Sequence, residues 1–466
     1  HPDRPAVVRH DDSLTYSELD VRVRATARRL GPDPGVVGVL TARSAATITG
    51  LLGVLAAGGT YCPIDPAYPE PRRRALIAAS GCRTVLGDDP AGPTGPTGAA
   101  ATTRPDDAAY ILFTSGSTGA PKPVATSRAA IGTAVGALRD LFALTPDDRV
   151  LQFASLSWDT CFEEILPTLT TGAALVFDDQ AHAGSLHRML RMIDARRITV
   201  LDLPSAFWHE LVRHLAEDRT TLPGCVRLVI IGGEAVSPAR LADWRALDTG
   251  NIRLVNTYGC TETTLITHAV DLHGPLAAGP EHPRAPIGTA LPHVREHLSD
   301  EGELLIGGPS LALGYPGSPA ATAERFVVLD LGAGPERWFR TGDRVSRAPG
   351  GALVHKGRLD HELKVRGIRV DPAEVEALIA GHPQVGAVAV TGVTVAEHTA
   401  LAAYVVPRSP AAGATLAGDL LAFLRASVPA HLVPARITVV PELLHTASGK
   451  VDRAGSHRRF ERKTAS

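Results

Sequence analysis

The sequence has few cysteines, and they show no paired spacing. The 466-residue chain holds five, at positions 62, 82, 161, 225 and 260, and none forms a C-x-x-C pair. An odd count without such a pair argues against a disulfide framework and against a structural zinc site. We therefore expect a reducing, cytoplasmic compartment.

Long apolar runs and an excess of one charge are also missing. The most apolar stretch, 45–57, is too short to span a bilayer and predicts a buried helix, and no signal peptide is visible. A net charge of −2 and a pI near 6.9 argue against nucleic acid as the main partner. The chain begins at His1 rather than at methionine, so we expect it to be part of a longer polypeptide.

Short apolar runs alternate with helical patterns over most of the chain. This alternation predicts an α/β fold with a mostly parallel, buried sheet. The runs are 36–40, 84–86, 110–113, 175–177, 199–203 and 227–231. Segment 88–107 is rich in glycine, proline and threonine and predicts a long surface loop. The arginine-rich patches 22–29, 72–74 and 457–463 predict solvated helix faces.

The pattern changes from about residue 302, where short strands joined by glycine turns are predicted at 303–306, 352–355 and 363–365. The last hundred residues predict a small α+β unit with its own core. Its elements are a helix at 372–380, strands at 386–393 and 401–406, and a helix near 416–426. We therefore predict a large N-terminal domain of mixed and parallel sheets flanked by helices, 1–359, and a small C-terminal α+β domain, 360–466.

A run of small and hydroxyl-bearing residues follows the predicted strand 110–113. It comprises Thr114, Ser115, Gly116, Ser117, Thr118 and Gly119, with Lys122 close behind. Small residues let backbone N–H groups converge on an anion, while hydroxyls and a lysine add donors to phosphate oxygens. The spacing matches neither the Walker pattern nor G-x-G-x-x-G. It predicts a phosphate-binding loop, although a flexible linker could have the same composition.

This loop resembles the signature loop of the adenylate-forming superfamily, which includes adenylation domains of nonribosomal peptide synthetases, acyl-CoA synthetases and luciferases. Further motifs of that superfamily follow in order. They are LTYSEL (14–19), GGTYCPIDPAYP (58–69), NTYGCTE (256–262), GELLIG (302–307), RTGD (340–343), GRLDHELKVRG (357–367), VPAHLVP (428–434) and SGKVDR (448–453). The PIDPAYP and GKVDR segments resemble amino-acid-activating domains rather than fatty-acyl ones.

The resemblance implies an ATP-dependent, AMP-forming ligase. A substrate carboxylate would attack the α-phosphate of ATP to give an acyl-adenylate and pyrophosphate, and the acyl group would then pass to a carrier-protein phosphopantetheine thiol. Because both reactants of the first step are anions, their repulsion must be cancelled. By resemblance, Lys450 supplies that cation, the loop around Lys364 serves the transfer step, and Asp360 is the hinge of a mobile small domain.

The resemblance also assigns nucleotide and metal contacts. Glu262 would bind Mg²⁺, Tyr258 would lie on the adenine ring, and Asp343 would accept hydrogen bonds from the ribose, with Arg358 nearby. The nucleotide-binding set implied in this way is Thr114, Ser115, Gly116, Ser117, Thr118, Gly119, Lys122, Gly233, Glu234, Asn256, Tyr258, Gly259, Thr261, Asp343, Arg358 and Lys450.

The segment ASLSWD (154–159) resembles the one that carries the aspartate for the substrate's α-ammonium, so Asp159 indicates an α-amino acid. Alignment with the family gives further pocket positions, namely Thr160, Glu163, Asp202, Ile230, Gly232, Thr257, Leu265 and Ile266. Two of these are acidic, Gly232 leaves room for a long side chain, and a guanidinium can bind two carboxylates at once. We predict a basic amino acid, arginine- or capreomycidine-like before lysine or ornithine.

Alternatives remain open at this point. Glu163 could face solvent with Glu164 turned inward, and Asp202 could pair with a protein arginine. The chain could also be an acyl- or aryl-CoA ligase, an adenylation domain for a neutral amino acid, or a nucleotide-binding module without chemistry. No segment resembles the phosphopantetheine site of a carrier domain, so we expect the carrier protein, and any small activating protein, outside this sequence. We expect no nucleic-acid or membrane partner, and a role in peptide antibiotic biosynthesis.

Overall fold

The computed structural model describes residues 1–10, 12–87, 102–114, 121–277, 284–332, 334–360, 362–365, 367–395, 398–409, 415–445 and 451–464. The chain divides into two compact units. The first comprises His1–Asp65, Ser80–Phe113 and Pro123–Leu359, and the second comprises Pro66–Ala79, Thr114–Lys122 and Asp360–Ser466. The second unit thus adds two short segments to the 360–466 stretch that we predict as the small domain.

Strands and helices largely alternate up to residue 246, and strands predominate from there to residue 358. The strands are β1 (Pro5–Arg9), β2 (Asp12–Thr15), β3 (Val36–Leu40), β4 (Thr60–Ile64), β5 (Thr84–Leu86), β6 (Ala108–Thr114), β7 (Lys122–Ser127), β8 (Arg149–Leu151), β9 (Ala174–Phe177), β10 (Val200–Pro204), β11 (Leu228–Gly232), β12 (Arg253–Gly259), β13 (Ile266–His273), β14 (Thr289–Ala290), β15 (Arg295–Leu298), β16 (Glu303–Gly307), β17 (Phe326–Asp330), β18 (Pro335–Arg347) and β19 (Leu353–Arg358). The helices are α1 (Tyr16–Leu30), α2 (Ala45–Ala56), α3 (Glu70–Ser80), α4 (Arg128–Phe142), α5 (Thr160–Thr171), α6 (Leu186–Arg196), α7 (Ser205–Glu217), α8 (Pro238–Ala246) and α9 (Pro319–Arg325), with short 3-10 turns at Asp179–His182 and Thr261–Thr263.

The strands of this part form three sheets among the described residues. A nine-stranded sheet has the order β14-β13-β12-β11-β10-β8-β9-β1-β2, a second has the order β5-β3-β4-β6-β7, and the third has the order β15-β16-β18-β17 with β19 on β18. In the first sheet β10 is parallel to β8 and to β11, and in the second β3 is parallel to β4 and to β5. The predicted α/β class is confirmed, and the third sheet differs from the other two in that its strand pairs are antiparallel.

The central strands are apolar because helices cover both of their faces. Four of the six apolar runs lie within strands, and the runs 199–203 and 227–231 each begin one residue before theirs. Leu228, Val229, Ile230 and Ile231 of β11 are all buried. The run 45–57 forms α2, whose Ile48 is fully buried, so the prediction of a buried helix is confirmed. No helix of the described residues combines the length and the hydropathy needed to cross a membrane. All five cysteines are free.

The second unit contains a small α+β arrangement. Its elements are β20 (Leu363–Val365), β21 (Ile368–Val370), α10 (Pro372–Ala380), β22 (Val385–Val395), β23 (His398–Pro407), α11 (Leu416–Ser427), β24 (Arg436–Val439) and α12 (Arg453–Thr464), with a 3-10 turn at Ala430–Leu432. Strands β22, β23 and β24 form one sheet, and β20 pairs with β21. The two helices and the strands predicted in this region are all present, around a core that includes Val390, Leu401 and Leu420.

The structure corrects one prediction about surface arginines. Segment 72–74 was expected on a solvated helix face, but Arg72 Nη1 donates a hydrogen bond to Glu374 Oε1 at 3.0 Å, and the two side chains are only 11% and 0% exposed. A buried carboxylate needs donors that replace its lost hydration, and the guanidinium of Arg72 provides one. Of the predicted loop 88–107, residues 88–101 lie outside the described residues, and residues 102–107 form neither helix nor strand.

Candidate active site

Helix α5 positions the first two acidic pocket residues. The helix begins at Thr160, so Asp159 is its N-cap and Glu163 lies in its first turn. The positive end of the helix dipole favours negative charge at both positions. Burial raises the pKa of the Asp159 carboxyl, hydrogen bonding with the Thr261 side chain partly offsets this rise, and the nearby Glu262 carboxylate adds to it.

The third acidic residue, Asp202, lies on the central strand β10. It is 5% exposed, and its Oδ2 has no hydrogen-bond partner among the described residues. Burial raises the pKa of the Asp202 carboxyl to about 7. A buried carboxylate oxygen without a donor is costly in a folded chain, because its lost hydration is not replaced.

Glu163 lies close to Asp202. Burial raises the pKa of Glu163 well above its ordinary value, and the charges of Asp202 and Asp159 raise it further. Within the described ranges, no cationic side chain lies close enough to lower the pKa of either Glu163 or Asp202. The alternative that Asp202 pairs with a protein arginine therefore finds no support in the described part of the chain.

Glu164 is the more buried of the two adjacent glutamates, but the chain itself occupies its carboxylate. It accepts hydrogen bonds from the backbone N–H groups of Phe153 and Ala154 at 2.9 and 2.8 Å, and from Gln152 Nε2 at 2.9 Å. These bonds tie the segment that follows β8 to helix α5. Glu164 thus holds the segment that leads to Asp159. Both glutamates lie close enough to Asp202 for its charge to raise their pKa values, but within the described residues only the carboxylate of Glu164 is shown bonded to the backbone.

Sheet register aligns the remaining pocket positions. Asp202 pairs with Ile230 on the neighbouring strand, and Gly232 pairs with Thr257. A Cβ atom at Gly232 would lie 2.6 Å from Thr257 Oγ1, so close packing of β11 on β12 requires glycine there.

A second glycine is required at the irregularity in the last residues of β12, between Tyr258 and Gly259. A Cβ at Gly259 would lie 1.9 Å from the carbonyl oxygen of Leu265. Gly259 pairs with Ile266 of β13. Leu265 and Ile266 are both buried, and Thr160 is partly buried.

A second group of predicted residues gathers around Asp343. Tyr258 Oη donates to Asp343 Oδ2 at 2.6 Å, and Arg358 Nη1 donates to Oδ1 at 3.0 Å. His355 Nε2 lies 3.0 Å from the same Oδ1. Burial raises the pKa of Tyr258 well above its ordinary value, and the Asp343 carboxylate adds to this. The sequence did not indicate His355, because nothing in its local pattern distinguishes it from an ordinary strand residue.

Glu262 lies beside Asp159, the first of the pocket acids. Its side chain is fully buried, and Tyr315 Oη donates to its Oε1 at 2.8 Å. Its backbone carbonyl accepts the N–H of Ala312 at 2.9 Å. The preceding Thr261 hydrogen-bonds with Asp159, so the predicted metal ligand and the predicted ammonium ligand are adjacent. Tyr315 lies outside every motif that the sequence offered, and no local pattern indicated it.

The other predicted nucleotide residues of the first unit lie near the ends of β11 and β12. Asn256 is buried, and its Nδ2 donates to the Pro286 carbonyl at 2.7 Å. Gly233 has a φ of +88°, a conformation that glycine adopts without strain. The carbonyl oxygens of Gly232 and Glu234 both accept hydrogen bonds from Ser205 Oγ, at 3.0 and 3.2 Å.

Several predicted residues belong to the second unit or lie outside the described residues. Thr114 ends β6 and Lys122 begins β7, but Ser115, Gly116, Ser117, Thr118 and Gly119 lie outside the described residues, as does Lys450. Lys364 lies on β20 opposite Arg369 of β21. Asp360 Oδ1 accepts the N–H of Glu362 at 3.2 Å.

Comparison with known protein families shows which family the chain belongs to. The family described as AMP-binding enzyme matches residues 1–316, and the one described as AMP-binding enzyme C-terminal domain matches residues 374–450. The chain belongs to the AMP-binding enzyme family. The predicted enzyme class, an AMP-forming ligase, is confirmed with it.

Individual relatives of this AMP-binding enzyme include large synthases. This chain is 39% identical to the isonitrile lipopeptide synthase of Streptomyces coeruleorubidus over 475 residues. The match covers 96% of this chain but only 32% of the synthase, so the chain spans about a third of that relative. NpsA-ThdA, an artificially fused adenylation-PCP di-domain NRPS from Klebsiella oxytoca, aligns with a TM-score of 0.78 and 26% identity over 94% of this chain and 91% of that one. The amide bond synthetase McbA from Marinactinospora thermotolerans aligns with a TM-score of 0.83 and 26% identity over 98% and 97%.

Proposed function

We propose that this AMP-binding enzyme uses ATP and Mg²⁺ to convert a basic α-amino acid to its adenylate, with release of pyrophosphate. The acyl group then passes to the phosphopantetheine thiol of a carrier protein in nonribosomal peptide synthesis. Family membership supports the adenylation step, and the likeness to an adenylation-PCP di-domain protein supports the carrier partner. One observation carries the choice of substrate: the buried, unpartnered carboxylate oxygen of Asp202 beside Glu163.

The charge balance of the pocket favours a substrate with two cationic groups. The α-ammonium pairs with Asp159, and a second cation on the substrate side chain pairs with Glu163 and Asp202. A neutral side chain would leave those two carboxyl groups buried without a cationic partner, so that they would have to take up protons or stay charged at a cost in free energy. A guanidinium suits the pair best, because its planar fork of five donors can serve two carboxylates together.

The remaining residues supply positioning and charge for the adenylation step. Glu262 fits a magnesium ligand because a carboxylate oxygen is the donor that Mg²⁺ prefers, and Tyr315 fixes the orientation of this one. The metal, when bound, would neutralise charge on the phosphate oxygens. Lys450 lowers the repulsion between the substrate carboxylate and the α-phosphate, which is the main obstacle to attack. The loop from Thr114 to Lys122 holds the phosphates through N–H, hydroxyl and ammonium donors.

Asp343 and Tyr258 hold the nucleoside. Asp343 is an acceptor-only group when ionised, and Arg358 at 3.0 Å favours that form. Tyr258 presents an aromatic face whose angle is set by its bond to Asp343. For the transfer step, the domain formed by residues 360–466 turns about Asp360, and the loop around Lys364 replaces Lys450 at the site.

The decisive experiment is an ATP–pyrophosphate exchange assay with a panel of amino acids. Arginine and capreomycidine should drive exchange best, lysine and ornithine less well, and leucine and phenylalanine least. Asp202→Asn and Glu163→Gln should each lower kcat/KM for arginine by about 10- to 150-fold, since a hydrogen bond to a charged group contributes about 1.5–3 kcal/mol. The KM for ATP should stay unchanged in both variants.

A matched control distinguishes the loss of a pocket carboxylate from the loss of negative charge elsewhere in the protein. Glu217→Gln removes an exposed carboxylate at the last residue of α7, where its partner is Arg213, and it should leave the substrate ranking unchanged. Equal exchange with leucine and arginine would overturn the basic substrate. Undiminished adenylate formation by Lys450→Ala would overturn the mechanism, and thioester formation with coenzyme A in place of a carrier protein would overturn the partner.

A further inference from the structure

Three metal-binding side chains lie together on the two helices that flank β10 in the chain. His187 lies in the first turn of α6, His214 in the last turn of α7, and Asp218 is the C-cap of α7. One ligand atom of each lies within 4.8 Å of the other two. Across the described residues, no other group of three His, Cys, Asp or Glu side chains meets this condition.

The distances in this trio are close to those of a metal site. Asp218 Oδ2 lies 3.4 Å from His214 Nδ1 and 3.9 Å from His187 Nδ1. A tetrahedral ion with bonds of about 2.0–2.1 Å holds its ligand atoms roughly 3.3–3.4 Å apart. One of the three pairs therefore already has the required spacing, the second is about half an ångström too long, and the two histidine nitrogens lie within 4.8 Å of each other.

The exposure of the side chains permits this adjustment. The His187 and Asp218 side chains are 68% and 43% exposed, so both can change rotamer, whereas His214 is 21% exposed and is held by its surroundings. The two imidazole rings approach edge to face, with centroids 5.7 Å apart. Residues 214 and 218 are one helical turn apart and share a face, while His187 comes from the neighbouring helix.

We propose that His187, His214 and Asp218 form a binding site for a transition-metal ion such as Zn²⁺ or Ni²⁺, with a fourth position open to water. Two imidazoles and one carboxylate suit zinc, nickel, copper and cobalt, whereas magnesium prefers oxygen ligands alone. The ion would link α6 to α7 and so brace β10, the strand that carries Asp202. This site is separate from Glu262 and does not depend on the proposed reaction.

The test is isothermal titration calorimetry of the metal-stripped full chain with zinc chloride and with nickel chloride, without ATP. The wild type should bind one equivalent of zinc or of nickel more tightly than any weaker sites elsewhere on the protein surface. His187→Ala and Asp218→Asn should each weaken this binding by at least about tenfold, since one of three protein bonds is lost. Glu217→Gln, which changes the neighbouring carboxylate, should bind as the wild type does.

A second measurement covers the risk that His214→Ala folds poorly. Zinc should raise the thermal unfolding midpoint of the wild type and of Glu217→Gln, but not that of His187→Ala, whose side chain is largely exposed and can be removed without loss of packing. Magnesium chloride should give no such rise. Equal zinc binding by the wild type, His187→Ala and Asp218→Asn would overturn the proposal, as would a midpoint shift that magnesium reproduces.

Discussion

Removing the guanidinium of Arg72 should lower the stability of the second unit strongly. Arg72 donates to Glu374 at 3.0 Å, and Glu374 is fully buried. Arg72→Met keeps the apolar stem but takes the arginine away from a buried carboxylate, a change that costs about 3–5 kcal/mol. Because Arg72 keeps 11% exposure, we expect the lower end, about 3 kcal/mol, which is more than a hundredfold in the opening equilibrium of the unit.

Hydrogen–deuterium exchange of peptides from β22 and β23 measures this directly, since their slowest amides report opening of the unit. Arg74→Met is the matched control, because Arg74 pairs with Glu70 on the same helix with both side chains exposed, and such a pair contributes at most about 0.5 kcal/mol. The double variant Arg72→Met with Glu374→Leu should recover most of the loss. If Arg72→Met exchanged as slowly as Arg74→Met, the reasoning about the buried pair would be refuted.

Two further predictions concern buried polar groups in either unit. Burial, with a smaller contribution from Arg72, lowers the pKa of His431 to about 4, whereas the unfolded chain titrates near pH 6.5, so stability should fall as the pH drops from about 6.5 to about 4. In His431→Gln, the free energy of unfolding measured in urea should depend less on pH in this range. An unchanged pH dependence would contradict the lowered pKa of His431. Tyr258→Phe removes the hydroxyl that donates to Asp343 at 2.6 Å. It should lower the free energy of unfolding by about 1–3 kcal/mol in the same assay and raise the KM for ATP. Loss of stability without a change in KM would argue against a role of Tyr258 at the nucleotide.

Local periodicity was sufficient to predict the fold. Parallel strands covered on both faces are apolar throughout, so runs such as 227–231 could be recognised, although the strand itself is Leu228–Gly232. These features depend on neighbouring residues, and neighbouring residues are what a sequence shows directly.

Contacts between distant segments could not be predicted in the same way. Arg72 and Glu374 are 302 positions apart, and the arginine lies in a patch that looks like any solvated helix face. Tyr315 and His355 were missed for the same reason, since their partners Glu262 and Asp343 come from other elements. The roles of Asp159, Glu163 and Asp202 remain predictions, and the resemblance rather than the periodicity of the sequence suggested them.

If the proposed basic amino acid binds at Asp202, the environment of this residue makes its capture a proton-linked event. With burial bringing the pKa of this carboxyl to about 7, a sizeable share of molecules carries a proton there at neutral pH. An arriving cation favours the ionised form, so that proton must leave for the solvent as the amino acid enters. The measured heat of binding would then vary with the ionisation enthalpy of the buffer, and uptake of the amino acid would acidify a weakly buffered solution.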